Sequence, residues 1–164
     1  VYAAPAGATK YLVLNSEDTA SSSSADERFN DTAPTASVFS LGNKDEVNYT
    51  GRNYMAYLFG SVAGISKIGS YTGTGNDINV DCGFSAGARF VMVKGVDQYG
   101  GWYVWDSDRG IVAGNDPYYF LDSFAIETTN TDYIDPLSSG FTITSSAPAA
   151  LNSSGQTYLF WAIA

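Results

Sequence analysis

Histidine is absent from this chain of 164 residues, and cysteine occurs once, as Cys82. Without histidine the usual Ser–His–Asp constellation cannot form. With one thiol and no imidazole there is no internal disulfide and no ligand set for zinc. Cys82, beside Gly83, reads as a small buried hydrophobe. Charge is also scarce: 15% of residues are charged, against a usual figure of about 25%. Basic residues are the scarcer kind, 8 Lys and Arg against 17 Asp and Glu, for a net charge of −9. Binding a nucleic-acid backbone needs a cationic patch, which this composition excludes, and an acidic surface is repelled by anionic lipid. No apolar run approaches the ~20 residues of a membrane-spanning helix. The chain opens neither on Met nor on the basic-then-apolar layout of a signal peptide, so a processed product or a piece of a longer polypeptide is expected.

What is abundant is aromatic and small. Aromatics make up 15% of the chain, with 12 Tyr and 9 Phe, beside 17 Gly and much Ser and Thr. That is the chemistry of strands joined by short polar turns. Residues 1–10 read as an arm, and residues 11–164 as a single domain. Strands are expected at Tyr11–Leu14, Val38–Leu41, Tyr54–Val62, from Ser66 into a Gly-rich turn, at Ile78–Cys82, Phe90–Lys94, Trp102–Trp105, Tyr119–Leu121, Phe124–Ile126, Phe141–Thr144 and Tyr158–Ile163. Ala147–Leu151 is expected to form one helical turn. Short strands at intervals of roughly 8–12 residues predict an all-β antiparallel sandwich or barrel. The loop from Asn15 to Ala36 is unusually long for a compact domain.

One pattern occurs twice. Val47-Asn48-Tyr49-Thr50-Gly51-Arg52-Asn53-Tyr54 and Leu151-Asn152-Ser153-Ser154-Gly155-Gln156-Thr157-Tyr158 both read apolar-Asn-x-x-Gly-x-x-Tyr, and each runs into an apolar stretch. Val38–Leu41 precedes the first as Gly140–Ile143 precedes the second, and Leu14-Asn15-Ser16 answers Leu121-Asp122-Ser123. The expectation is an internal repeat relating 11–59 to 119–164, with 65–118 as a central block present once. The two apolar stretches should then occupy equivalent places in their sheets, each beside its preceding strand.

Few residues suggest chemistry. Asp106 and Asp108, with Asp97 across the hairpin, form a candidate Ca²⁺ set. Equally, Asp106 or Asp108 pairs with Arg109 and pins the strand end. Two carboxylates flanking a glycosidic bond would need opposing cleft walls, which neighbouring positions do not provide. No serine stands in a nucleophile motif near Lys10, Lys44, Lys67 or Lys94, so no hydrolase activity is expected. Gly73-Thr74-Gly75 lacks the remainder of a phosphate loop. Asn30, Asn48 and Asn152 fit glycosylation sequons, although turn chemistry accounts for the last two. Trp102, Trp105, Tyr99, Tyr118 and Tyr119 are the candidate ligand-binding residues. Trp102 and Trp105 fall on opposite faces of one strand. Either one faces outward, towards a sugar or another subunit, or both faces of the strand are covered.

The ordered set from Ser66 to Asn76, Gly83-Phe84, Phe90–Lys94, Trp102–Arg109 and Leu151–Ala162, together with Arg28–Thr35, resembles a β-rich domain. That domain recurs near the C-terminal ends of structural, tail-fibre-type proteins of marine tailed phages, including cyanophages. The family usually has a proline between the Gly-Phe pair and the buried strand, where this chain has Ser85–Arg89. The resemblance implies a lectin-like or jelly-roll sandwich in a non-enzymatic virion protein, and no catalytic residue. It implies a location on the virion surface, contacts with other virion proteins, host attachment through a surface saccharide or protein, and homo-oligomers, trimers foremost. The alternatives are a capsid decoration or head-fibre protein, and a carbohydrate-binding module of a secreted protein.

Overall fold

The structure, a computed structural model, describes residues 1–22 and 25–164. The apolar runs of the sequence become the inner strands of two antiparallel sheets. In chain order the strands are β1 (Ser66–Thr72), β2 (Ile78–Asp81), β3 (Phe90–Gly95), β4 (Tyr103–Asp106), β5 (Tyr119–Phe120), β6 (Ile134–Leu137), β7 (Gly140–Ile143) and β8 (Thr157–Ile163). The larger sheet has the order β1-β8-β3-β4-β5, and the smaller β2-β7-β6. Three short helices, α1 (Ala25–Phe29), α2 (Asp45–Asn48) and α3 (Ala149–Asn152), complete the regular structure with a 3-10 turn at Ala4–Ala6. The all-β sandwich is as expected, and α3 is the anticipated helical turn.

The sheets meet over a core of Val91, Val93, Trp105, Ile134, Phe141, Ile143, Phe160 and Ala162, with Leu151 of α3 closing one end. Phe141 and Phe160 touch edge-on across the interface, ring centres 5.3 Å apart. β8 is the axis of the larger sheet. It pairs with β1 on one side, Tyr71 opposite Tyr158, and with β3 on the other, Val93 opposite Phe160. The tyrosines of that first pair stack at 5.1 Å. β6 lies outside the strands expected from the sequence, and it contains Pro136. Its position at a sheet edge admits the proline, whose missing N–H costs no ladder bond there.

The outer face of the larger sheet is also covered. Leu12 packs on Val96, Trp102 and Leu159. Trp102 Nε1 donates to the Val13 carbonyl at 3.1 Å. Lys94, wholly buried, donates to the carbonyls of Glu17 (3.2 Å), Asp18 (2.8 Å) and Gly95 (3.3 Å). Burial lowers the pKa of this ammonium, against the opposing pull of Asp122, Asp18 and Glu17.

Several expected strands are absent among the described residues. Tyr11–Leu14 forms only the bridge Tyr11–Ser21, because it lies across the sheet face and not along an edge. Val38–Leu41 and Phe124–Ile126 are exposed loop, with no strand available to pair them. The long loop expected at Asn15–Ala36 contains residues 23 and 24, which lie outside the described residues; α1 falls within it.

Four tyrosines set the alkaline limit of the fold. Burial raises the pKa of Tyr71, Tyr103, Tyr118 and Tyr158. A phenol raised in the folded state contributes stability below the unfolded value of about 10 and loses it as pH rises further. Lys94 acts with the opposite sign, because its lowered pKa favours the fold as pH approaches about 10.5. Four phenols outweigh one amine. Titration at 295 nm is expected to show a late tyrosine phase that coincides with loss of the β-sheet circular dichroism. A single smooth titration with the fold intact would contradict this.

Candidate functional site

The aromatic candidates do not form an open platform. Trp105 is wholly buried in the core, stacked on Tyr103 at 5.6 Å. Trp102 does lie on the opposite face, as the strand period requires, but the N-terminal segment covers it and leaves 1% exposed. Tyr118 is buried against Tyr103 and Phe120. Tyr119 carries the Arg109 guanidinium over its ring at 4.9 Å. Tyr99 alone of the five is largely exposed, at 59%. The reading in which both strand faces are covered is the one that the geometry supports.

The aspartates of the proposed calcium set are likewise held elsewhere. Asp106 closes the turn after β4: its Oδ1 accepts the backbone N–H of Asp108 (3.1 Å) and of Arg109 (2.9 Å), and its Oδ2 meets the Arg109 guanidinium. Arg109 also pairs with Glu127 at 2.9 Å. Asp97 pairs with Lys10 at 3.5 Å, at the far end of the hairpin, since Asp106 stands opposite Phe90. Seven residues of strand separate those ends, roughly 20 Å. Asp97, Asp106 and Asp108 are therefore not brought to one ion.

The repeated pattern is real as a turn and incomplete as a strand. In the second copy the Tyr158 hydroxyl accepts the Ser153 N–H at 2.8 Å and donates to the Ala149 carbonyl at 2.5 Å. In the first, Tyr54 accepts the Tyr49 N–H at 2.8 Å and donates to the Asp45 carbonyl at 2.6 Å. The offsets of five and nine residues are the same. α2 matches α3, and Gly51 and Gly155 share a left-handed backbone, φ 81° and 78°. Asn152 is fully engaged, its Oδ1 accepting from Thr74 and Gly75 and its Nδ2 donating to Asn76 and Thr144.

The stretches that follow diverge. Thr157–Ile163 lies between β1 and β3, whereas Tyr54–Phe59 pairs with no strand, and Met55, Tyr57 and Leu58 are 77%, 76% and 75% exposed. The expectation that the two would occupy equivalent places is corrected here. The strands that flank β8 belong to the block 65–118, which exists once, so the first copy has no neighbours to receive it. The paired upstream segments differ as well: β7 lies in the opposite sheet from β8, and Val38–Leu41 is loop. The stretch is held at its two ends, by the Tyr54 hydroxyl in the turn and by Phe59 on the Trp161 ring at 4.2 Å. The chain then turns at Val62, bridging to Ser66, with Ser61 bonded to Ile68.

A second feature escaped the reading of spacings. Asp116, ahead of β5, and Asp132 and Asp135, around the start of β6, bring one carboxylate oxygen each within 4.8 Å of one another. Asp116 is wholly buried. Its backbone N–H donates to the Thr131 carbonyl at 2.7 Å, and its Oδ2 accepts from Tyr133 (2.7 Å) and Ile134 (3.0 Å). Its Oδ1 has no partner, and neither has the buried Oδ1 of Asp135. Burial, opposed by those two backbone bonds and reinforced by Asp132 and Asp135, pushes the Asp116 pKa up to about 6. Burial also raises that of Asp135, with Asp132 and Asp77 adding to it. The only sequence signal was the spacing Asp132-Tyr-Ile-Asp135, which names no partner 16 residues upstream.

No curated protein and no solved structure matches this chain. A family model described as "Domain of unknown function (DUF7483)" matches residues 1–164. A sandwich with a duplicated turn, one orphan apolar stretch and a buried carboxylate cluster is therefore a structure for a member of that family, to which the chain belongs.

Proposed function

We propose that this chain is a non-catalytic structural domain of a phage virion, of the tail-fibre or surface-fibre kind, which joins a second copy of itself by strand addition. The observation that carries this reading is the orphan stretch Tyr54–Phe59. It follows the same turn as β8 and is apolar on both faces, as β8 is, yet it meets no strand. An apolar strand with open backbone groups is a template for pairing. The outer edge of β1 is the complementary surface, since β1 pairs only with β8 and the self-contacts of its outer side are at Ser66 and Ile68. Donating one surface to a different one makes a head-to-tail interface, which closes as a ring where the rotation between copies allows and otherwise runs on as a filament. A three-membered ring agrees with the trimers expected from the resemblance to fibre proteins, which also supports the virion setting and a role in host attachment. The non-catalytic part of the reading is supported by the sequence, which has no histidine and no serine in a nucleophile motif.

Light scattering on the purified chain is expected to give a trimer mass that falls to monomer in a Met55→Asp/Leu58→Asp variant with unchanged circular dichroism. A wild-type chain that stays monomeric, with amides 54–59 protected from exchange by folding back on its own β1, would overturn the strand-addition reading. Gold-labelled antibody against the chain should decorate fibres of the virion. Labelling confined to the head shell would overturn the tail-fibre placement.

A further inference from the structure

The carboxylates of Asp116, Asp132 and Asp135 are the one group of three or more metal-ligating side chains that converge among the described residues. Clustered acids alone do not make a site. Here the decisive observation is the orphaned oxygen of a side chain with 0% exposure. Asp116 spends one carboxylate oxygen on two backbone N–H groups and leaves the other buried without a partner. A buried acceptor without a donor is costly, and three carboxylates at this separation repel. No lysine or arginine offsets them among the described residues. The ion pairs lie elsewhere, at Lys10–Asp97, Arg28–Glu46, Lys44–Glu27 and Arg109 with Asp106 and Glu127.

We infer that this cluster is a divalent-cation site, and that its cation is Ca²⁺. The donors are all hard oxygens, the set that suits Ca²⁺ and not the nitrogen- and sulfur-seeking transition metals. Oxygens up to 4.8 Å apart fit around an ion with ligand distances of about 2.3–2.6 Å. Three carboxylates leave room for the water that completes six to eight ligands. The ion would reinforce a junction of two sheet edges that the Asp116 hydrogen bonds to Thr131, Tyr133 and Ile134 already join. Asp116 leads into β5, the last strand of the larger sheet, and Asp132 and Asp135 bracket the start of β6, the edge of the smaller. The long connection between β4 and β6 is thereby fastened at its middle. This site is independent of the strand-addition reading and stands or falls separately from it.

The test uses the full chain after dialysis against EDTA. Calcium chloride is expected to raise the melting temperature, to titrate with one site per chain by calorimetry, and to displace Tb³⁺ whose emission is sensitised by the neighbouring Tyr133. Asp132→Asn and Asp135→Asn, each confirmed as folded by circular dichroism, should weaken Ca²⁺ binding at least tenfold. Using these two keeps the test valid even if Asp116→Asn fails to fold. Two results would overturn the inference. One is the absence of heat and of any melting shift at millimolar Ca²⁺. The other is a shift retained in full by the Asp132→Asn/Asp135→Asn double variant, which would be screening of the net −9 charge and not a site.

Discussion

Trp102→Ala is expected to destabilise the chain by about 3–5 kcal/mol and to release residues 11–20 from the sheet while the two-sheet core persists. The indole is 1% exposed and is shared by Leu12, Val96 and Leu159. It also donates the bond to the Val13 carbonyl. Removing it therefore opens a cavity under the N-terminal segment and leaves a carbonyl without its donor. Limited proteolysis should move to residues 11–20, and amide exchange should rise there and at Ala20, whose N–H bonds the Val96 carbonyl at 2.8 Å. Trp102→Phe keeps most of the apolar body and loses the N–H, so the part due to the hydrogen bond should be on the order of 1 kcal/mol. Unchanged cleavage in the alanine variant would mean that Lys94 and Leu12 hold the segment without the indole.

Gly140→Ala should be as damaging, for a different reason. A Cβ at Gly140 would sit 2.0 Å from the Val80 carbonyl oxygen and 3.1 Å from Cys82 Sγ. Those are backbone and core atoms of the neighbouring strand, so β2 and β7 must part. Overpacking against backbone atoms belongs at the upper end of the usual range, about 3 kcal/mol. Gly155→Ala is the comparison. Its φ of 78° is unfavourable for alanine, but nothing lies within 4 Å of the added carbon. The loss there should be on the order of 1 kcal/mol. Equal melting temperatures for the two variants would refute the ranking.

The sequence disclosed the sandwich because its strands have local causes. Phe90–Lys94, Trp102–Trp105 and Tyr158–Ile163 are aromatic and β-branched runs bounded by Gly, Asn and Ser, and they became β3, β4 and β8. The repeated turn was legible for the same reason, since the Tyr hydroxyl reaches back a fixed number of residues. Pairing was not legible. Tyr54–Phe59 has the same chemistry as β8 and fails to become a strand because its neighbours are missing, a fact that no local pattern carries. β6 was not among the expected strands, because Pro136 argues against a strand wherever its edge position is unknown. The candidate sites fared worse. Asp106 and Asp108 drew attention by adjacency and proved to be a turn. Asp116 and Asp132, 16 positions apart in the chain, meet because the fold brings the approaches to β5 and β6 together.

The cover over the larger sheet has a consequence for how the domain can vary. With the core on one side and the N-terminal segment and Phe59 on the other, β3 and β8 have no solvent side, and none of their residues is exposed. Polar substitution is costly at their buried positions, Val91, Val93, Tyr158, Leu159, Phe160 and Ala162. In the smaller sheet β2 alternates, with Asn79 and Asp81 outward and Val80 inward. Tolerance to sequence drift is therefore lopsided: β2 can diversify at every second position, while the inner strands β3 and β8 are far more constrained.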